Sequence, residues 1–135
     1  MATYLQLHIL EGMTEDEVIQ DGYDECYGVT ECKTPWIIIA EYSYGWSVFG
    51  NETIPSCVDK MKELMLIKNS NNSFAYFHQK YKLVFAPLNV ILAKKITEIM
   101  EESFLKGEGY RIINPDKLRE FLDEHMGKKI FLIES

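Results

Sequence analysis

Basic residues are almost absent from the first 59 positions of this 135-residue sequence, where Lys33 stands alone among eleven acidic residues. The remainder holds thirteen basic and ten acidic residues, so the net charge of −7 divides into −10 for the first segment and +3 for the second. Clustered charge of one sign attracts opposite charge and repels like charge. The acidic segment is therefore expected to avoid nucleic acid directly and to suit a basic protein surface. Glu11 to Glu31 are expected to form one contiguous acidic surface that the basic C-terminal half does not neutralise.

The sequence also lacks a long apolar run and an even set of cysteines. No stretch approaches the ~18 apolar residues of a membrane span, and the N-terminus has neither the basic nor the apolar part of a secretory signal. The three cysteines, Cys26, Cys32 and Cys57, suit free thiols in a reducing compartment. These absences predict a cytoplasmic protein with no membrane association.

The chain is of ordinary length and composition for one folded domain. Hydrophobic residues make up 47% and charged residues 26%, which excludes the composition of a disordered chain. We therefore predict that residues 1–135 form a single α+β domain. We expect a mixed sheet of about five or six strands, with an N-terminal antiparallel hairpin, a C-terminal β-α-β-α-β segment and three main helices.

Strand patterns dominate the first half. Residues 3–10 alternate between apolar and polar, which predicts a half-buried strand with His8 on its exposed face. Residues 36–42 are apolar on both faces, which is typical of a strand covered on both sides. The short break after it and the β-forming residues 46–49 predict the hairpin. Between these strands, Thr14 and Glu17 have the spacing of a capping box for a short helix.

Helical spacing dominates the second half. One helix is predicted to start near Pro55 and Ser56, with Ser56 as its cap and Asp59 in its first turn. A second, with Pro87 in its first turn, is predicted to end at Gly107. Asn114 and Pro115 predict the start of a third that Gly127 closes, and strands are expected at residues 74–85, 110–113 and 130–133. Parallel pairs within this segment would have right-handed crossovers. Six residues are predicted to be buried together: Trp36, Ile38, Leu92, Ile96, Phe121 and Ile130.

Candidate catalytic and metal-binding residues are scattered. Cys26 and Cys32 lack the spacing and the second ligand pair of a zinc site. His8, His78 and His125 lie far apart, although a pairing of Cys57 with one of them in space remains an alternative. Residues 21–25 are acidic but lack the ligand spacing of an EF-hand. The sequence therefore predicts no catalytic residue, no metal and no cofactor.

The acidic segment also contains tyrosines, which often anchor protein interfaces. Carboxylates that occupy a cationic groove, with aromatic anchors beside them, would suit a small inhibitor of the immunity or anti-defence kind, phage or bacterial, acting on a nucleic-acid-binding enzyme. Alternatives are a small hydrolase or transferase that uses a Cys/His or carboxylate/His pair, and a small-ligand or nucleotide sensor. The predicted partner-binding residues are Glu15, Asp16, Glu17, Asp21, Tyr23, Asp24, Glu25 and Tyr27.

Overall fold

The computed structural model describes residues 3–18, 34–43, 54–65 and 84–134. Within these ranges the chain forms five strands and four helices, three of them longer than one turn, so the predicted α+β class with three main helices is confirmed. In chain order they are β1 (Thr3–Ile9), α1 (Glu15–Glu17), β2 (Trp36–Tyr42), α2 (Ser56–Leu64), β3 (Ala86–Pro87), α3 (Val90–Lys106), β4 (Arg111–Ile112), α4 (Pro115–Glu124) and β5 (Lys129–Glu134).

The strands form one sheet in the order β3-β5-β1-β2-β4. All four pairings of the described strands are antiparallel, whereas the sequence had suggested some parallel pairs. The reason is that β3 and β4, which α3 connects, lie at opposite edges instead of side by side. Residues 40 and 41 of β2 contact β1 on one side and β4 on the other. The predicted return strand 46–49 lies outside the described residues, as do residues 74–83 of the strand predicted at 74–85.

The length of α3 fits this connection. Ala86 in β3 pairs with Ile130, at the level of Ile9, and Ile112 in β4 pairs with Ala40, at the level of Leu5. Four strand spacings cover about 19 Å and four residues along a strand about 13 Å, so the diagonal between the two corners is about 23 Å. A helix of 17 residues is about 25 Å long. The helix therefore spans the sheet from corner to corner.

The main core lies between the sheet and the helices. Leu5, Leu7 and Ile9 of β1 face the helices, as the alternation predicts, and are fully buried. A β-bulge in β2 inserts Ile39 between the residues that pair with Leu5 and Gln6, and Ile39 joins the same core. The other fully buried members include Cys57, Val58 and Met61 from α2, Ile96 and Met100 from α3, Leu118 from α4 and Ile130 from β5.

The opposite face of the sheet is also covered. Trp36 and Ile38 lie on this face, which corrects the prediction that both are buried with Ile96 and Ile130. Gln6 pairs with Ile38 and His8 with Trp36 on this face, so Trp36 and Ile38 are separated by the sheet from Ile96 and Ile130. Both are partly exposed and do not belong to the main core. Leu92 and Phe121 are partly buried and pack against that core, as predicted.

The ends of α3 and α4 follow local signals. Asn89 Oδ1 accepts a 2.8 Å hydrogen bond from the Leu92 N–H, so α3 begins at Val90 and Pro87 belongs to β3, not to the first helical turn as predicted. Gly107 ends α3 with a φ of 65°, as its position predicts. Asn114 caps α4 and Pro115 is its first residue, which confirms that prediction.

The start of α2 has a cap from far along the chain. Pro55 occupies the N-cap position without a side-chain hydrogen bond, so the predicted cap from Ser56 is wrong. Instead, Glu108 Oε2 accepts a 2.8 Å hydrogen bond from the Ser56 N–H. The carboxylate also complements the positive end of the helix dipole. No helix in the described part of the chain combines the length and the apolar character needed to cross a bilayer.

Candidate functional site

The predicted acidic surface begins at α1, a single helical turn after β1. Thr14 Oγ1 accepts a 3.2 Å hydrogen bond from the Glu17 N–H and donates one of 3.1 Å to Glu17 Oε1, so the predicted link between these residues is present. Val18, at the end of the turn, is buried in a second small cluster with Phe131 and Ile133 on the outer face of the sheet. This apolar anchor fixes where the carboxylates of α1 lie.

The charges of this surface are partly compensated by the C-terminal half. Glu11 pairs with Lys128 at 3.1 Å and Glu15 pairs with Lys129 at 3.2 Å, both in exposed positions. We had expected these carboxylates to stay unpaired. Such exposed pairs typically contribute about 0–1 kcal/mol each, so they mainly neutralise charge.

The two remaining carboxylates of α1 keep their charge uncompensated. Asp16 and Glu17 are exposed, and no cation of the described residues forms a salt bridge with either. The described part of the predicted surface thus reduces to a pair of adjacent, solvent-facing carboxylates. The other predicted partner-binding residues, Asp21, Tyr23, Asp24, Glu25 and Tyr27, lie outside the described residues, as do Cys26, Cys32 and His78.

His8 is a strongly perturbed titratable group, and its burial contradicts the prediction that it faces solvent. Its ring is fully buried and stacks between Trp36, with centroids 5.9 Å apart, and Phe131, with centroids 5.1 Å apart. Nε2 contacts Gln6 Oε1 at 2.9 Å and Nδ1 contacts Thr34 Oγ1 at 3.0 Å. Burial lowers the pKa of His8 to about 4, because a charged imidazolium would lose its hydration.

This environment suits a neutral structural histidine better than a catalytic one. Both ring nitrogens have hydrogen-bond partners, an amide and a hydroxyl. A general base needs access to a substrate proton and a pKa near the working pH. His8 has neither, because it is enclosed and stays neutral at pH 7.

Cys57 is placed among hydroxyl and carboxylate groups at the start of α2. Its N–H donates a 3.1 Å hydrogen bond to Ser103 Oγ, and burial raises the pKa of the Cys57 thiol. A thiol with a raised pKa is a poor nucleophile at neutral pH. The Cys57 side chain belongs to the main core, so a Cys/His catalytic pair gains no support here.

Glu108 and two serines form the hydrogen-bond cluster beside it. The Ser56 hydroxyl donates to Glu108 Oε1 at 2.8 Å, and the Ser103 hydroxyl donates to the same oxygen at 3.3 Å. Burial acts to raise the pKa of Glu108, but the N–H and hydroxyl of Ser56 and the hydroxyl of Ser103 outweigh it, so this pKa lies below its usual value. A carboxylate stabilised in its charged form is a weak base, and we interpret this cluster as the cap of α2.

His125 is the C-cap of α4, which therefore ends at Glu124, short of the end at Gly127 predicted from sequence. Its ring packs edge-on against Phe121 with ring centroids 4.9 Å apart. Its Nδ1 is buried and has no hydrogen-bond partner among the described residues. Among the residues that the structure describes, no three His, Cys, Asp or Glu side chains converge in a way that could hold a metal ion.

A groove at the β2 edge was not anticipated from the sequence. It has a volume of about 580 Å³ and lies between β2, the end of α3 and the start of α4. Isoleucines of β2 and Ile113 give it an apolar surface, and Phe104, Arg111 and Lys117 also line it. The sequence pattern correctly marked residues 110–113 as a short strand. The strand order in the sheet, which the sequence does not reveal, shows that β4 covers only part of the β2 edge and that the groove lies beside the rest.

Comparison with protein-family models, with curated proteins and with solved structures finds no significant match.

Proposed function

We propose that this protein is a non-enzymatic binding domain whose acidic surface occupies a basic surface of a partner protein. The partner would be of the kind that binds nucleic acid, and the protein would act as its inhibitor. Immunity and anti-defence proteins of phage or bacterial origin belong to this class. The observation that carries the proposal is the concentration of negative charge in the first 59 residues, at −10 against +3 for the rest.

The geometry of α1 supports this role. Asp16 and Glu17 are adjacent, exposed and without a salt-bridge partner among the described residues, so a binding cation need not displace an internal one. The turn that carries them is held by Thr14 and by the buried Val18. Because the backbone of this turn is held, chiefly the carboxylate side chains must become ordered on binding, which favours affinity.

Charge reversal at α1 tests the proposal. The variant Asp16→Lys/Glu17→Lys changes the net charge by +4, and the matched control Glu120→Lys/Glu124→Lys makes the same change on the exposed side of α4. Wild type and both variants are used to capture proteins from the native host, and captured proteins are identified by mass spectrometry. Partners captured by wild type are then purified, whether or not the variants also capture them.

The association rate with a purified partner gives the decisive result. Exposed charges act over about 8 Å at physiological salt and mainly accelerate association. We expect the α1 variant to associate on the order of tenfold more slowly at low salt, with a flatter salt dependence, while the control stays close to wild type. Equal rates for the α1 variant and wild type would make the acidic turn a solubility feature only. Equal losses in both variants would show an effect of net charge alone.

A further inference from the structure

No strand of the described residues pairs with the outer edge of β2 over Trp36–Ile38. The Ile9 N–H donates to the Pro35 C=O at 2.9 Å and Leu7 pairs with Ile37, so residues 35 and 37 direct their backbone groups toward β1. Backbone groups alternate in direction along a strand. The N–H and C=O groups of Trp36 and Ile38 therefore point outward, where no described strand pairs with them.

The strand β4 stops short of this edge for a local reason. It pairs with β2 only at residues 40 and 41, and the Ile113 N–H adds one bond of 3.0 Å to the Ile39 C=O. The next residue is Asn114, the cap of α4, followed by Pro115, which has no N–H to donate. The chain thus turns into a helix where the ladder would continue, so among the described strands none pairs with the β2 edge beyond that point.

An open edge of β-branched residues is a template for another strand, which proteins usually block with charge, proline or a covering element. Here the adjacent groove supplies an apolar surface for side chains of an added strand. Ile37 and Ile39 lie on its helix-facing side, and Phe104, which is 39% exposed, lines the groove at the end of α3. A strand that pairs with Trp36–Ile38 would place every second side chain toward this groove.

The charged residues of the groove define the chemistry of its occupant. Arg111 is exposed, with Glu41 at the long distance of 3.8 Å, and Lys117 forms no salt bridge with any described residue. Both are cations on a chain whose net charge is −7. A carboxylate on the occupant would complement them.

We propose that the β2 edge at Trp36–Ile38, with the groove beside it, binds an extended peptide segment of another protein that has apolar side chains at alternate positions and a carboxylate for Arg111 and Lys117. This site is separate from the acidic surface of α1 and does not depend on it. A second copy of this chain fits less well, because its own Trp36–Ile38 segment carries no carboxylate to meet Lys117. A nucleic acid would match the cations but not the backbone ladder.

Hydrogen exchange of the free, full-length protein gives the first test. The Ile37 amide, which faces β1, should exchange slowly, whereas the Trp36 and Ile38 amides should exchange at least about tenfold faster. Slow exchange at Trp36 and Ile38 would show that the edge is already covered and would overturn the proposal.

Peptide binding gives the second test. The probe is a library of capped octapeptides with valine or isoleucine at alternate positions and aspartate or glutamate at one end, and the best binder is labelled for fluorescence anisotropy. Two N-methylated forms of it each remove one alternate set of backbone N–H groups. Methylation of the set that faces β2 should weaken binding at least about tenfold, and methylation of the other set should have little effect, because only one set joins the ladder. Equal effects of the two forms, or no binding by the library at 1 mM, would overturn the proposal.

A charge variant and two competing occupants complete the design. Lys117→Glu should weaken peptide binding about tenfold, whereas Lys95→Glu, an equal change on the exposed side of α3 away from the groove, should leave it within about twofold. Equal losses would contradict a local carboxylate contact. Self-association of the protein in sedimentation velocity that Lys117→Glu leaves intact, with no peptide binding, would assign the edge to a second copy. Tighter binding of a labelled octathymidine than of the peptide would assign the groove to nucleic acid.

Discussion

Acidification from pH 7 to pH 4 is expected to destabilise this protein through His8. In the folded state the imidazole is buried between Trp36 and Phe131, and its pKa lies at about 4, below the ordinary value of 6.5. The unfolded chain therefore binds a proton more readily than the folded chain between these two pH values. Where the unfolded state binds more protons, stability rises with pH, so it must fall as the pH falls through this window.

The size of the effect follows from the two pKa values. With 6.5 in the unfolded and about 4 in the folded state, the loss of stability relative to pH 7 is under about 1 kcal/mol at pH 6, about 2 kcal/mol at pH 5 and about 3 kcal/mol at pH 4. The destabilisation caused by proton uptake at His8 is small above pH 6.5 and reaches its full size below pH 4. This is a large share of the ~5–15 kcal/mol that stabilises a typical domain.

The assay compares wild type with His8→Gln by urea denaturation at several pH values between 7 and 4. Glutamine is neutral throughout, so the variant lacks this proton uptake but retains every carboxylate that titrates in the same range. At pH 7 the variant should be less stable, because it loses the stacking on both rings. On acidification, however, wild type should lose about 3 kcal/mol more than the variant.

Parallel stability curves for the two proteins between pH 7 and pH 4 would refute the reasoning. NMR titration of the imidazole gives an independent check that does not require unfolding. A His8 pKa near 6.5 in the folded protein would mean that the ring is hydrated, in conflict with its full burial.

Two further stability predictions test the packing. Ile96→Ala should lower the free energy of unfolding by about 2–5 kcal/mol, because Ile96 is fully buried in the main core; an unchanged thermal midpoint would mean that α3 does not pack there. Gly109→Ala should cost about 2 kcal/mol or more, since a Cβ there would lie 2.8 Å from Pro55 Cγ and 2.9 Å from the Glu41 C=O, in addition to the strain of its φ of 68°. The control Gly107→Ala has a similar φ of 65° and no atom within 4 Å of the added carbon, so it should cost only about 1 kcal/mol. Equal losses of stability for Gly109→Ala and Gly107→Ala in chemical denaturation would exclude the steric argument.

Some features of the candidate sites could be predicted from the sequence, and others appear only in the tertiary structure. The acidic character of the first segment and the short helix at Thr14 follow from composition and from contacts three residues apart. The pairing of Glu11 and Glu15 with Lys128 and Lys129 does not, because it joins residues more than a hundred positions apart. The groove beside β2 has no local signal at all, since it exists only where β2, α3 and α4 meet.

For the fold, the sequence determined what neighbouring residues decide among themselves. The alternation of β1, the end of α3 at Gly107 and the cap of α4 at Asn114 all depend on backbone and side-chain groups within a few positions. At the start of α3, the prediction that placed Pro87 in the first helical turn was wrong, because Asn89 is the N-cap. The hydrogen bond from Leu92 to Asn89 fixed that start.

Tertiary structure decided everything that depends on which segments become neighbours. The alternation correctly predicts that His8 and Leu7 lie on opposite faces of the sheet. Whether the face of His8 is exposed or buried depends on Thr34, which is 26 residues away, and on Phe131 of β5. The cap of α2 is Glu108, 52 residues from Ser56. The placement of β3 and β4 at opposite edges of the sheet was likewise decided by tertiary pairing, and the length of α3 fits this placement. Periodicity reports the direction of a side chain, whereas burial and pairing depend on contacts between segments far apart in the chain.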